Sequence, residues 1–152
     1  MAVSAEVVKQ LRDATGVSVM ECKKALEEAG GDMDKAVAIL KTRSASAVAK
    51  KSDRELGAGA VSAYIHNTHQ VGALVLLSCE TDFVSKNEEF INLSRDIAMH
   101  ITAMRPESIE ALLAQPFIKD SAKTIQDLLS AATQKFGERI VLSEMSCFSV
   151  LQ

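Results

Sequence analysis

A change of hydrophobic period at Gly59 constrains this chain more than any other feature. Before it, apolar residues recur at helical spacing; after it they alternate and then run almost unbroken, as in strands. Val7, Val8 and Leu11 mark a helical stripe in residues 4–13, stopped by Thr15 and Gly16. Ser18 and Glu21 form an S-x-x-E capping box. The helix they open has a predicted buried face of Val19, Cys22, Ala25, Leu26 and Ala29, and Gly30-Gly31 supplies a left-handed stop. Asp32 caps a third helix with Met33, Ala36, Val37, Ile39 and Leu40 facing inward. Three short helices with tight turns make a compact bundle, small enough to be marginal alone.

Beyond the switch, "AVSAYIH" and "VGALVLLSCE" flank "NTHQ" and read as a β-hairpin. The second run is nearly all apolar, which predicts a central strand covered by helices on at least one face. Asn87 caps a helix from Glu88 to Met104, closed by Arg105-Pro106 because a residue before proline is pushed out of α geometry. "ESIEALLA" is a short helix, "SAKTIQDLLSAATQKFG" reads as one amphipathic helix ending at Gly137, and "RIVLSEMSCFSVLQ" as a closing strand. The order ααα then ββααβ belongs to the α+β class. The expected architecture is a three-helix bundle (1–42), a basic Ala/Ser-rich connector (43–58) and a core domain (59–152), the last a three-stranded antiparallel sheet packed with helices. Lys50, Lys51 and Arg54 in the connector read as a solvated basic face.

The chain has 152 residues and a net charge of −3, about +2 in residues 1–54 and −5 in the remainder. That balance argues against direct nucleic-acid binding. No apolar run approaches the roughly 20 residues needed to span a bilayer. The start lacks the apolar core of a signal peptide and carries Glu6 and Asp13. A cytoplasmic protein without membrane contact is expected. Cys22, Cys79 and Cys147 are odd in number, with no C-x-x-C, and read as reduced core thiols. Phosphate-loop, dinucleotide, zinc-protease and serine-hydrolase motifs are all absent from the sequence, so no cofactor or metal is expected. Cys79 with His66 or His69 imitates a nucleophile pair. Against it stands the apolar strand around Cys79, where a buried thiol is inert.

The anomaly is Asp82-Phe83, an acid and a bulky aromatic on the corner between a strand and a helix. On the residues alone two readings stand. Phe83 either tucks under the following helix as a satellite of the core, or it is an exposed anchor for a pocket on another protein, the kind of aromatic that dominates binding hot spots. In the second reading the neighbouring carboxylate orients the contact or competes for a cation in the partner.

"LRDATGVSVMECKKAL", Leu11 to Leu26, resembles the N-terminal signature of the elongation factor Ts family. "CETDFV", Cys79 to Val84, resembles that family's Thr-Asp-Phe-Val motif, and "YIHNTHQVGALV" its core hairpin. "DIAMHI", "QPFIKD" and the closing helix and strand are similar to further core segments, in collinear order over nearly the whole chain. The resemblance implies a guanine-nucleotide exchange factor for elongation factor Tu, acting by protein–protein binding and not as a bond-breaking enzyme. It implies that the N-terminal bundle is of the ubiquitin-associated type and docks on the partner's nucleotide-binding domain. It implies further that the Asp–Phe pair pushes between helices of that domain, disturbing the magnesium site and phosphate loop.

Carried residue by residue, the resemblance makes Asp82 and Phe83 the wedge, with Thr81 a further partner-binding residue. Lys9, Arg12, Val19, Met20 and Lys23 become bundle contacts, and His66 a core contact. Plainer readings stand beside these: Lys9 and Lys23 as solvated surface, Val19 as bundle interior, His66 as a hairpin cap. The family commonly has Met-Met where this chain has Val19-Met20. Its members also carry a long helical region between the segments matching "AMRPESIEALLA" and "QPFIKD", which adjoin here. A single small sheet leaves one face open unless covered. The resemblance to short family members, which pair two copies sheet on sheet, therefore implies a homodimer through the core sheet, able to bind two partner molecules. The competing readings are a binding adaptor without exchange activity and a small Cys–His hydrolase.

Overall fold

The computed structural model describes residues 2–151, so positions 1 and 152 of the expected domains lie outside the described residues. The chain forms two compact units: residues up to Asp53 with Ser130–Gly137, and Arg54–Leu129 with Glu138 onward.

The first unit opens with α1 (Ala5–Thr15), α2 (Val19–Glu28) and α3 (Met33–Lys50). Each begins on a polar cap. Ser4, Ser18 and Asp32 side chains accept from the N–H of Val7, Glu21 and Lys35 at 3.3, 3.3 and 3.0 Å, satisfying donors that a helix start leaves orphaned. Only one arm of the expected capping box is used. The Glu21 carboxylate is engaged by Arg43 at 3.3 Å and Lys24 at 3.6 Å. Gly16 (φ 72°) and Gly31 (φ 87°) take the left-handed conformation that ends α1 and the turn after α2. The Gly31 N–H reaches back to Leu26 O at 2.8 Å. Val8, Leu11, Val17, Cys22, Ala25, Leu26, Ala36 and Leu40 form the core.

One expectation changes in this unit. Val19, predicted on the buried face, is 51% exposed, and Val37 is also exposed. Val19 is the first residue of α2, one turn before Cys22, and the tight turn after α1 instead sends Val17 inward at 2% exposure. The expected connector 43–58 is helical as far as Lys50, and β1 begins at Ala58. Residues 43–50 are Ala-rich and contain no Gly or Pro, a composition that prolongs a helix, since alanine has the strongest helix propensity.

In the second unit, β1 (Ala58–Ile65), β2 (Val71–Cys79) and β5 (Val141–Ser149) make an antiparallel sheet in the order β1-β2-β5. The apolar β2 is central, as expected. α5 (Glu88–Met104) lies across β1 and β2. On that face Ala73, Val75, Leu77 and Cys79 are buried, with Phe90, Ile97, Ala98 and Ile101 of α5 buried beside them. The period of two sends the alternate set outward. Val61, Ile65, Leu74 and Phe148 are 69, 61, 48 and 74% exposed. Ile65 pairs with Gly72 and Gly72 with Phe148, so these residues share one face.

α6 (Ile109–Ala114) follows, then a ribbon of β3 (Pro116–Phe117) and β4 (Asp120–Thr124), then α7 (Ile125–Phe136). The helix expected from Ser121 therefore starts four residues late. Residues 120–124 pair with Pro116-Phe117. Thr124 and Asp127 form a reciprocal capping box: the Asp127 N–H donates to Thr124 Oγ1 at 3.1 Å and the Thr124 N–H to Asp127 Oδ2 at 3.0 Å.

Candidate functional site

The corner begins where β2 ends. The fully buried Cys79 thiol donates to Thr81 O at 3.3 Å. Burial raises its pKa above the ordinary thiol range, and the nearby Glu138 carboxylate adds to the rise. Thr81 is extended (φ −129°, ψ 155°) and precedes the single turn α4 (Asp82–Ser85). The Ser85 N–H bonds Thr81 O at 3.2 Å, and the Asn87 N–H bonds Val84 O at 3.0 Å. Asn87 then caps α5, its side chain accepting from the Glu89 N–H at 2.8 Å.

Within this turn neighbouring side chains point about 100° apart, so Phe83 and Val84 cannot both face the core. Val84 takes the inside at 3% exposure, and Phe83 stands 87% exposed. Phe83 is therefore not a core satellite. Asp82 is exposed beside it.

Glu138, two residues before Ile140 turns into the core, reaches across to this corner. Its Oε1 accepts from the N–H of both Glu80 and Thr81, at 3.1 and 3.0 Å, and its Oε2 accepts from the Thr81 hydroxyl at 2.6 Å. Arg139 donates to Arg54 O at 2.8 Å, and Arg54 approaches Glu80 at 3.5 Å. None of Glu138, Arg139 or Arg54 was foreseen at the corner. Glu138 meets it across 57 and 58 residues, Arg54 meets Glu80 across 26, and Arg139 meets Arg54 across 85, where periodicity carries no signal.

The other candidate residues lie on other elements. Lys9 and Arg12 are exposed on α1, Arg12 pairing with Asp13 at 3.0 Å. Met20 is 67% exposed on α2, next to the exposed Val19, and Lys23 approaches Glu27 at 3.9 Å on the same helix. His66 sits at the hairpin tip, its N–H donating to Val71 O at 3.0 Å and its C=O accepting from His69 at 2.9 Å. It therefore closes the hairpin and is also exposed. The Cys–His pair is not formed. Cys79 lies opposite Ala58 in the hairpin register, so His66 stands eight residues along the strand, roughly 25 Å away at ~3.3 Å per residue. Among the described residues no group of three or more His, Cys, Asp or Glu is placed to hold a metal, and no helix is long and apolar enough to cross a membrane.

These features define an α+β protein with an N-terminal helix set, a three-stranded sheet open on one face, and an aromatic corner fixed against solvent. A family model described as elongation factor TS matches residues 80–152, which include the corner and β5. The elongation factor Ts of Leptospira biflexa is 40% identical over 195 residues, covering 99% of this chain and 98% of that protein. Those of Desulforamulus reducens and Thermodesulfovibrio yellowstonii are 38 and 37% identical, covering 91 and 100% of this chain. The chain belongs to the elongation factor Ts family, a family of translation elongation factors. The Thermodesulfovibrio alignment runs over 196 positions against the 152 residues of this chain. That relative therefore carries about 44 residues (196 less 152) without a counterpart here.

Proposed function

We propose that the chain is a guanine-nucleotide exchange factor for elongation factor Tu, working in the cytoplasm by binding and not by bond-breaking catalysis. The observation that carries this reading is the exposure of Phe83, 87%, on a turn anchored beneath by the buried Val84. Exposed aromatic surface of this size on a fixed corner costs free energy in water and is released by insertion into a partner. In the proposed mechanism Phe83 enters between helices of the nucleotide-binding domain, with Thr81 holding the turn. Asp82 brings a carboxylate toward the magnesium and phosphate region. A factor that binds the nucleotide-free partner more tightly than the GDP form must weaken GDP binding by the same ratio.

Lys9, Arg12, Val19, Met20 and Lys23 of the ubiquitin-associated-type bundle supply a second contact. The exposed Val19-Met20 pair is its apolar centre and the cations its rim. His66 supplies a contact at the hairpin tip. Release of fluorescent GDP from elongation factor Tu tests the reading. Acceleration that Phe83→Ala abolishes supports it. Binding without acceleration favours the adaptor alternative, to which the roughly 44 residues absent relative to the Thermodesulfovibrio protein lend weight.

The open sheet face supports a homodimer. Val61, Ile65, Leu74, Phe148 and Val150 are exposed on or beside it, and all of these but Val61 line an open hollow of about 530 Å³. Two copies related by a two-fold axis would bury the same patch on both.

A further inference from the structure

We infer that Glu138 is the positioning residue of the Asp82–Phe83 corner, an assignment that rests on the exchange reading above. The last residue pair of the β1–β2 ladder is Ala58–Cys79, so the N–H groups of Glu80 and Thr81 leave the strand without ladder partners. Both point to one atom, Glu138 Oε1, at 3.1 and 3.0 Å. The second carboxylate oxygen takes the Thr81 hydroxyl at 2.6 Å. Thr81 occupies the position from which a side chain would ordinarily cap α4, yet makes no such cap bond; its hydroxyl is committed to Glu138 instead. The contacts to an ionised acceptor are of the strong, charge-assisted kind.

Held from above by Glu138 at Thr81 and from below by Val84 in the core, the backbone at Phe83 is fixed on both sides before any partner arrives. The adjacent Arg139 grips the carbonyl of Arg54, whose guanidinium lies beside Glu80, so the two neighbouring residues both act on the chain where it enters the turn. An exposed aromatic on a loose turn would sample many directions, and binding would have to order it. A preorganised one arrives in its bound geometry. Glu138 thus acts on exchange through the corner, without touching the partner.

The test has two arms. In the free protein, amide hydrogen exchange at Glu80 and Thr81 speeds by about tenfold or more in Glu138→Ala, while Val75 in the middle of β2 is unchanged. Glu138→Gln, which keeps one acceptor oxygen and loses the charge, falls between. In the second arm, GDP release from elongation factor Tu slows by about 10- to 100-fold in Glu138→Ala. The double variant with Phe83→Ala is then within about twofold of Phe83→Ala alone, because both act through one element. Unchanged exchange at Glu80 and Thr81, faster exchange at Val75 as well, or full additivity of the two substitutions overturns the assignment. If Phe83→Ala itself leaves GDP release unaltered, the exchange reading fails, and the amide arm decides alone whether Glu138 holds the corner.

Discussion

Phe83 and Val84 are neighbours in one helical turn, and truncating each separates binding from stability. Full burial of a phenylalanine is worth roughly 1.5–3 kcal/mol. At 87% exposure about an eighth of Phe83 is hidden in the free protein, so Phe83→Ala costs the fold only about 0.2–0.4 kcal/mol. Insertion into the partner would bury the remaining seven-eighths, about 1.3–2.6 kcal/mol, or one to two decades of affinity. Val84 is the reverse case: it is 3% exposed. Val84→Ala removes two carbons at ~0.8 kcal/mol each and leaves a cavity, for about 1.5–3 kcal/mol. At about 2–4 °C per kcal/mol for a chain of this size, the melting temperature falls by roughly 3–12 °C for Val84→Ala and by under 2 °C for Phe83→Ala. The assay is thermal or urea unfolding of each variant, beside a titration of nucleotide-free elongation factor Tu. A Phe83→Ala protein destabilised by more than about 1 kcal/mol yet binding normally would refute the reasoning, for Phe83 would then be a packing residue.

Phe148→Asp places a charge on the open sheet face, where Phe148 is 74% exposed; light scattering should show a dimer for the parent chain and a monomer for the variant, with unchanged circular dichroism. Cys79 keeps its proton to higher pH when folded than when unfolded, because burial raises its pKa. Its contribution is therefore undiminished below the unfolded thiol value of about 8.5 and is lost as pH rises from there through the folded value; urea midpoints should fall over that window less steeply in Cys79→Ala. Thr124→Val removes the hydroxyl that accepts from the Asp127 N–H and should cost about 1 kcal/mol in unfolding free energy, the usual worth of a helix cap.

Local chemistry was legible in the sequence. The caps at Ser18, Asp32 and Asn87 and the stop at Gly16 each fall where the side chain or the left-handed backbone requires them. The nearly unbroken apolar run in "VGALVLLSC" identified the central strand, because a strand paired on both edges and covered by a helix is apolar along most of its length. Errors arose where a local pattern competes with a pairing elsewhere. "SAKT" has helical composition, but its pairing with Pro116-Phe117 and the Thr124–Asp127 box hold it as strand. Val19 fits a helical stripe, but it is Val17, in the preceding turn, that fills the bundle interior. At the corner the sequence left open whether Phe83 tucks under the following helix or stands exposed, since that depends on the direction in which β2 delivers the chain. Glu138 carries no signature at all, a lone carboxylate after a glycine that finds Thr81 only once the sheet has formed.

The central claim is that this chain opens the nucleotide site of elongation factor Tu with the Phe83 corner. Its most direct test is stopped-flow release of fluorescent GDP from elongation factor Tu, with excess unlabelled GDP, at increasing concentrations of this protein and of Phe83→Ala. The account predicts a release rate that rises with the parent protein and falls by about one to two decades with the variant. A release rate that the parent protein leaves at its spontaneous value, or that Phe83→Ala raises equally well, would contradict it.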